Sequence, residues 1–123
     1  MLKQWKKLGP LQIAQIHNVS PLYFEQKLDF GKSTDAIGGT YEGQINFNNE
    51  PHGLGRYVTK TGEIYEGQWK FSEENGFGRR IWNSGEYYIG MWKDFKFEGP
   101  GKFVYADGSE DKGMWKNCMF VGK

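Results

Sequence analysis

Apolar and polar residues alternate at every second position in short stretches along most of this chain, which predicts β-strands. In Tyr65-Glu66-Gly67-Gln68-Trp69, the Tyr, Gly and Trp occupy one set of alternate positions and Glu66 and Gln68 the other. Successive side chains of a strand point to opposite faces, so one face receives the rings and the other the polar groups. Related strands are predicted at Tyr41-Glu42-Gly43-Gln44-Ile45, Tyr88-Ile89-Gly90-Met91-Trp92 and Asp111-Lys112-Gly113-Met114-Trp115. The glycine in the middle leaves room for a ring from a neighbouring strand to cross the backbone. Six or seven polar or aromatic residues follow each strand and are read as a loop, ahead of a Gly-x-Gly and a second short strand. Those second strands are Gly55-Arg56-Tyr57-Val58-Thr59, Gly78-Arg79-Arg80-Ile81-Trp82 and Gly101-Lys102-Phe103-Val104-Tyr105. Each runs into a turn with glycine at Gly62, Gly85 or Gly108, where positive φ is needed and other residues resist it.

The pattern is periodic. Gly55, Gly78 and Gly101 are 23 residues apart, and Gly67, Gly90 and Gly113 and then Trp69, Trp92 and Trp115 keep the same step. A fixed period of this size marks stacked supersecondary units. The fold expected is all-β: an elongated, single-layer antiparallel meander of hairpins over residues 31–123. Gly31 to Gly38 forms a degenerate half repeat at its start, and about three full repeats and a truncated last one follow. Residues 1–30 lie outside the period. Gly9-Pro10 and Pro21 interrupt any regular element there, so an irregular N-terminal arm or cap is expected. The chain stops at Gly122-Lys123, where the next second strand would begin, so the last strand is expected to be an exposed edge open to another chain.

These residues resemble MORN (membrane occupation and recognition nexus) repeats, through Tyr-Glu-Gly-x-Trp followed by Gly-x-Gly and a turn glycine. Tyr65 to Gly85 is a near-ideal copy. Ile45 departs from the pattern where Trp is expected and Asp111 where Tyr is, and Tyr41 to Gly53 is one residue longer than Tyr65 to Gly76. The resemblance implies a binding module. In relatives that are enzymes the chemistry sits in a separate domain, for which this chain has no room. The resemblance also implies a scaffold or assembly subunit, since MORN proteins in general look like this and many belong to cilia, flagella, basal bodies and other cytoskeletal structures.

Composition narrows the choice. Formal net charge is +1, with +2 on residues 1–30 and −1 on the array. A nearly neutral array lacks the counterion-release drive of a nucleic-acid binder. It also lacks the cluster of four to eight basic residues usual in lipid recognition, since Arg79-Arg80 is its one adjacent arginine pair. The single cysteine, Cys118, forms no internal disulfide and fits a reducing compartment. No run of about 18 apolar residues predicts a transmembrane helix, and the N-terminus has no apolar segment of signal-peptide length. A cytoplasmic address is expected, with cilium or cytoskeleton as its setting. The absence of acid before Glu25 leaves the mitochondrion as the alternative.

Catalytic chemistry is not expected. His17 and His52 are the only histidines and belong to no ligand-spaced set, so neither metal nor cofactor is predicted. His52 reads as a solvated loop residue, and Ser72, Glu73 and Glu74 as a polar loop without a base or oxyanion partner. The aromatic content, 17% of the chain, is the remaining resource. Rings at Tyr57, Trp69, Trp82, Trp92, Phe103 and Trp115 must supply the core. Phe71, Phe77, Phe95, Phe97 and Phe120 are read in or beside loops, either closing the ends of the sheet or, with Tyr57 and Trp115, gripping a partner. Two functions follow: a non-catalytic scaffold binding other proteins through this aromatic groove and the edge strand, or a peripheral module binding anionic phospholipids.

Overall fold

The computed structural model describes residues 29–123, which form nine strands in a single antiparallel sheet. They are β1 (Asp29–Thr34), β2 (Thr40–Ile45), β3 (Pro51–Val58), β4 (Ile64–Lys70), β5 (Glu73–Ile81), β6 (Tyr87–Lys93), β7 (Lys96–Val104), β8 (Glu110–Lys116) and β9 (Met119–Gly122). Their spatial order is their order in sequence. The single-layer meander is therefore as expected, and no helix occurs among the described residues. The first strand opens at Asp29, two residues before Gly31. The arm expected over residues 1–30 otherwise lies outside the described residues.

The register explains the glycines. Gly31 pairs with Gly43, Gly43 with Gly55, Gly55 with Gly67, and the row continues through Gly78, Gly90 and Gly101 to Gly113. A stripe without side chains thus crosses the sheet, and tyrosine rings lie along it. The Tyr65 hydroxyl, in β4, occupies the space a β-carbon at Gly78 of β5 would need, as Tyr41 does at Gly55 and Tyr88 at Gly101. Each hydroxyl then donates to the carbonyl three residues on: Tyr41 to Gln44 at 2.5 Å, Tyr65 to Gln68 at 2.8 Å, Tyr88 to Met91 at 3.1 Å. The ring over Gly67 comes from Tyr65 of its own strand; the ring crossing from a neighbouring strand lies on Gly78. The tryptophans complete the unit, for the indoles of Trp69, Trp92 and Trp115 each donate to the carbonyl of Gly55, Gly78 or Gly101 at 3.1 Å.

The core is a row of rings on one face: Tyr41, Tyr65, Trp69, Tyr88, Trp92, Phe97 and Trp115 are buried, with Ile45, Tyr57, Trp82 and Phe103 packed against them. Trp92 touches Tyr65, Tyr88 and Phe97 edge-on at 5.0–5.3 Å between centroids. Such pairs add about 0.5–1.5 kcal/mol each beyond the area they bury.

Four sequence expectations need correction. The stretches after Trp69, Trp92 and Trp115 are not loops, although residues 46–50 after Ile45 do form one. At three places the chain reverses through two residues, Phe71-Ser72, Asp94-Phe95 and Asn117-Cys118, and resumes pairing. Positive φ at both positions of each pair is the primed-turn geometry that fits a right-twisted hairpin. Phe77, Phe97 and Phe120 consequently lie in strands β5, β7 and β9. His52 also lies in a strand, β3, where its Nδ1 accepts from the Phe71 amide at 3.2 Å. Finally, β8 is not an edge, because Met119–Gly122 pairs with it as β9.

Candidate functional site

The two faces of the sheet offer different chemistry. On the face away from the rings, one cross-strand row alternates in charge through Lys32, Glu42, Arg56, Glu66 and Arg79. Opposite charges on adjacent strands stabilise such pairs, and Arg79 reaches Glu66 at 3.4 Å. The alternation then breaks. Ile89 stands where Glu42 and Glu66 stood, and Lys102 is paired with Lys112. Here Phe77, Ile89, Pro100 and Met114 line a shallow trough of about 510 Å³, with Lys102, Lys112 and Lys123 around it.

On the ring face, each repeat places one side chain opposite the tryptophan position. Phe97 faces Trp92 and Phe120 faces Trp115, whereas Pro51 faces Ile45 and Glu74 faces Trp69. In the third repeat Phe97 lies flat on Tyr88, with centroids 4.1 Å apart and planes within 4°. That flat stack is not repeated in the first two repeats, where Tyr41 and Tyr65 meet Trp69 edge-on. A recess of about 450 Å³ opens there, walled by Tyr41, Tyr57 and Trp69, with Asp35, Glu74 and Arg80 as its charged lining and Phe95 at its side.

Glu74 is the unusual group of this recess. It is 3% exposed and shares the Arg80 guanidinium, at 3.3 Å, with Glu63 at 3.2 Å. Its other oxygen, Oε2, is buried without a hydrogen-bond partner, and so is Arg80 Nε. Burial pushes the Glu74 carboxyl up to about 7, and Arg80 only partly opposes this. Arg80 also stands over the Trp82 ring, 5.7 Å from its centroid. Asp35 accepts from the Tyr57 hydroxyl and from the amides of Ile37 and Gly39 at 3.1 and 2.8 Å. The tyrosine bond is the largest of the effects that hold Asp35 below its ordinary range. Burial first, then Asp35, pushes Tyr57 up to about 12.

The binding residues expected from sequence do not form one surface. Tyr57, Phe97, Trp115 and Phe120 belong to the ring face, but Phe97 and Trp115 are buried members of the core. Phe77 lies on the opposite face, in the lysine trough. Phe71 and Phe95 are more than half exposed in their turns at one margin of the sheet. Only Tyr57 and Phe95 line the recess. Sequence reasoning missed Glu74 and Arg80, although their 23-residue phase with Phe97 and Phe103 was the signal that could have found them.

A family model for the MORN repeat matches residues 41–64, 65–87 and 88–110, consecutive units in phase with the hairpins. The chain belongs to the MORN-repeat family. The repeat is a non-enzymatic module, and MORN repeats in general interact with proteins or membranes. In the MORN phase the recess is centred on the first two matched units, where Pro51 and Glu74 replace the ring carried by the third, with Asp35 ahead of them and Phe95 from the third completing its lining. A comparison with curated proteins returns no match. Among the described residues no group of three or more His, Cys, Asp or Glu side chains could hold a metal ion.

Proposed function

We propose that this MORN protein is a non-catalytic scaffold or assembly subunit that binds another protein chain along its ring face, helped by edge strand β9. The unfinished ring face carries the reading. A sheet that fills the third repeat with stacked rings leaves a recess over the first two, with half-exposed Phe95 beside it. Apolar surface of this kind marks contact sites. Among the described residues β9 pairs with β8 alone, so its outer edge can accept a strand. A cytoplasmic, cytoskeletal or ciliary setting belongs to the same reading, with the mitochondrion as the alternative address.

A photo-crosslinker at position 95, compared with one at position 114 on the opposite face, tests this in cell lysate fractionated by native mass. The scaffold reading expects a large complex in which position 95, and not 114, joins a second polypeptide. A chain that runs near its own 14.2 kDa without cross-links at 95 would overturn it.

The lysine trough favours a second reading, an anionic phospholipid surface. Each lysine near such a surface contributes about 1 kcal/mol, and Lys102, Lys112 and Lys123 surround an apolar floor. Flotation with anionic vesicles that is lost at high salt and in Lys102→Gln/Lys112→Gln would support this reading. Flotation unaffected by either would remove it.

A further inference from the structure

The recess combines two features that favour a cation. Its walls are the rings of Tyr41, Tyr57 and Trp69, and ring faces attract positive charge. Its charged lining is Asp35, Glu74 and Arg80, and the Arg80 guanidinium is already shared by Glu74 and Glu63, so acidic groups outnumber the one guanidinium there. Glu74 lines the recess and keeps one buried oxygen without a partner, which a donor would satisfy.

Its shape selects among cations. The third repeat shows what the site holds when it is complete: the flat ring of Phe97 stacked on Tyr88. The corresponding place against Tyr41 has only Pro51. A planar group therefore fits the space. A guanidinium is planar, more weakly hydrated than an ammonium, and offers several N–H donors while stacking on rings. We propose that the recess takes an arginine side chain of the bound segment, with the guanidinium between the aromatic walls and the acidic side chains of Glu74 and Asp35. This rests on the protein-binding reading of the ring face. It names the residue that the face selects.

The test titrates the full chain with Nα-acetyl-arginine methylamide and with its lysine and norleucine counterparts. The readout is the set of indole N–H signals in ¹⁵N-correlated NMR spectra. Arginine amide is expected to move the Trp69 signal saturably, with half-saturation on the order of a few millimolar for a ligand this small. The Trp92 and Trp115 signals should stay in place. Glu74→Gln should weaken binding at least tenfold, as should Asp35→Asn. Unchanged Trp92 and Trp115 signals certify the fold of each variant, and Lys116→Gln, an exposed position outside the recess, should bind as the parent does.

Absence of a Trp69 response, an equal response to the lysine or norleucine amide, or full affinity in both carboxylate variants would each overturn the proposal. The two readings fail separately. Position-95 cross-links to a partner without an arginine response would leave a protein-binding face that is not specific for arginine. An arginine response without cross-links would leave the recess standing and remove the scaffold.

Discussion

In two repeats the sheet irregularity is closed by a glutamine side chain. Gln44 Oε1 accepts from the Leu54 amide at 2.7 Å, and Gln68 Oε1 from the Phe77 amide at 2.6 Å. Each lies where the register slips, beyond Gly43 and beyond Gly67. The third repeat has Met91 in place of the glutamine and Pro100 in place of the donor. The acceptor and the N–H have gone together, which predicts an energetic coupling between positions 91 and 100. The backbone permits the test, since Gly99 before Pro100 has φ 100° and Gly76 before Phe77 has φ 102°. Met91→Gln sets a carboxamide against a proline that cannot donate, and Pro100→Leu sets an amide against a thioether. Each single change is expected to cost about 1–3 kcal/mol, the usual cost of an unmet polar group. The double change rebuilds the bond of the second repeat, so the cycle should show a favourable coupling of about 1–3 kcal/mol. Urea unfolding midpoints for the four proteins supply the values, with the slope checked for constancy. Effects additive within about 0.5 kcal/mol would refute the reasoning.

Other substitutions probe the remaining parts. Trp92→Ala removes a buried indole, its bond to Gly78 and three ring contacts. It should cost about 3–5 kcal/mol and largely unfold the array, and an unchanged denaturation midpoint would contradict the ring-core account. Gly78→Ala and Gly85→Ala should differ sharply. A β-carbon at Gly78 meets the Tyr65 hydroxyl, while one at Gly85 meets nothing and suffers only from a φ of 88°. Circular-dichroism melts should show Gly85→Ala losing about 1–2 kcal/mol and Gly78→Ala clearly more; equal losses would be inconsistent with the tyrosine packing. Glu74 predicts a pH dependence. Its carboxyl is raised from the ordinary 4.5 to about 7, so between those values the folded state holds the proton more tightly than the unfolded one. Stability from this group is therefore full below about 4.5 and lost as pH rises towards 7, by at most roughly 3 kcal/mol. Glu74→Gln should flatten that slope in unfolding experiments at pH 5 and 7.5, and an identical slope in both proteins would exclude Glu74 as its origin.

The sheet was legible because its determinants repeat in phase. Glycine at Gly62, Gly85 and Gly108 announces the turns, and Tyr, Gly and Trp at alternate positions announce the buried face. The opposite margin was illegible for a physical reason. Its reversals at Phe71-Ser72, Asp94-Phe95 and Asn117-Cys118 take positive φ without glycine, so the residue type that usually marks such a turn is missing, and the strands beyond were read as loops. The recess was hidden differently. Glu73-Glu74 in an apparent loop reads as a solvated pair, and alternation becomes visible there only once Glu74 is set opposite Trp69. The tyrosine hydroxyl bonds leave no trace in a hydropathy pattern, because Tyr41, Tyr65 and Tyr88 score as apolar rings whether or not they hold a carbonyl.

Because each strand pairs only with its neighbours in sequence, length along the array is counted in strands. Neighbouring strands lie about 4.8 Å apart, so a repeat of two strands advances about 9.6 Å. The molecule is thus graduated like a ruler. A segment lying along it meets an equivalent ring-face position about every three residues if extended, at about 3.3 Å per residue, or about every six to seven if helical, at 1.5 Å per residue. The recess marks one graduation of that scale, and on the proposed reading it would set the register of a bound segment.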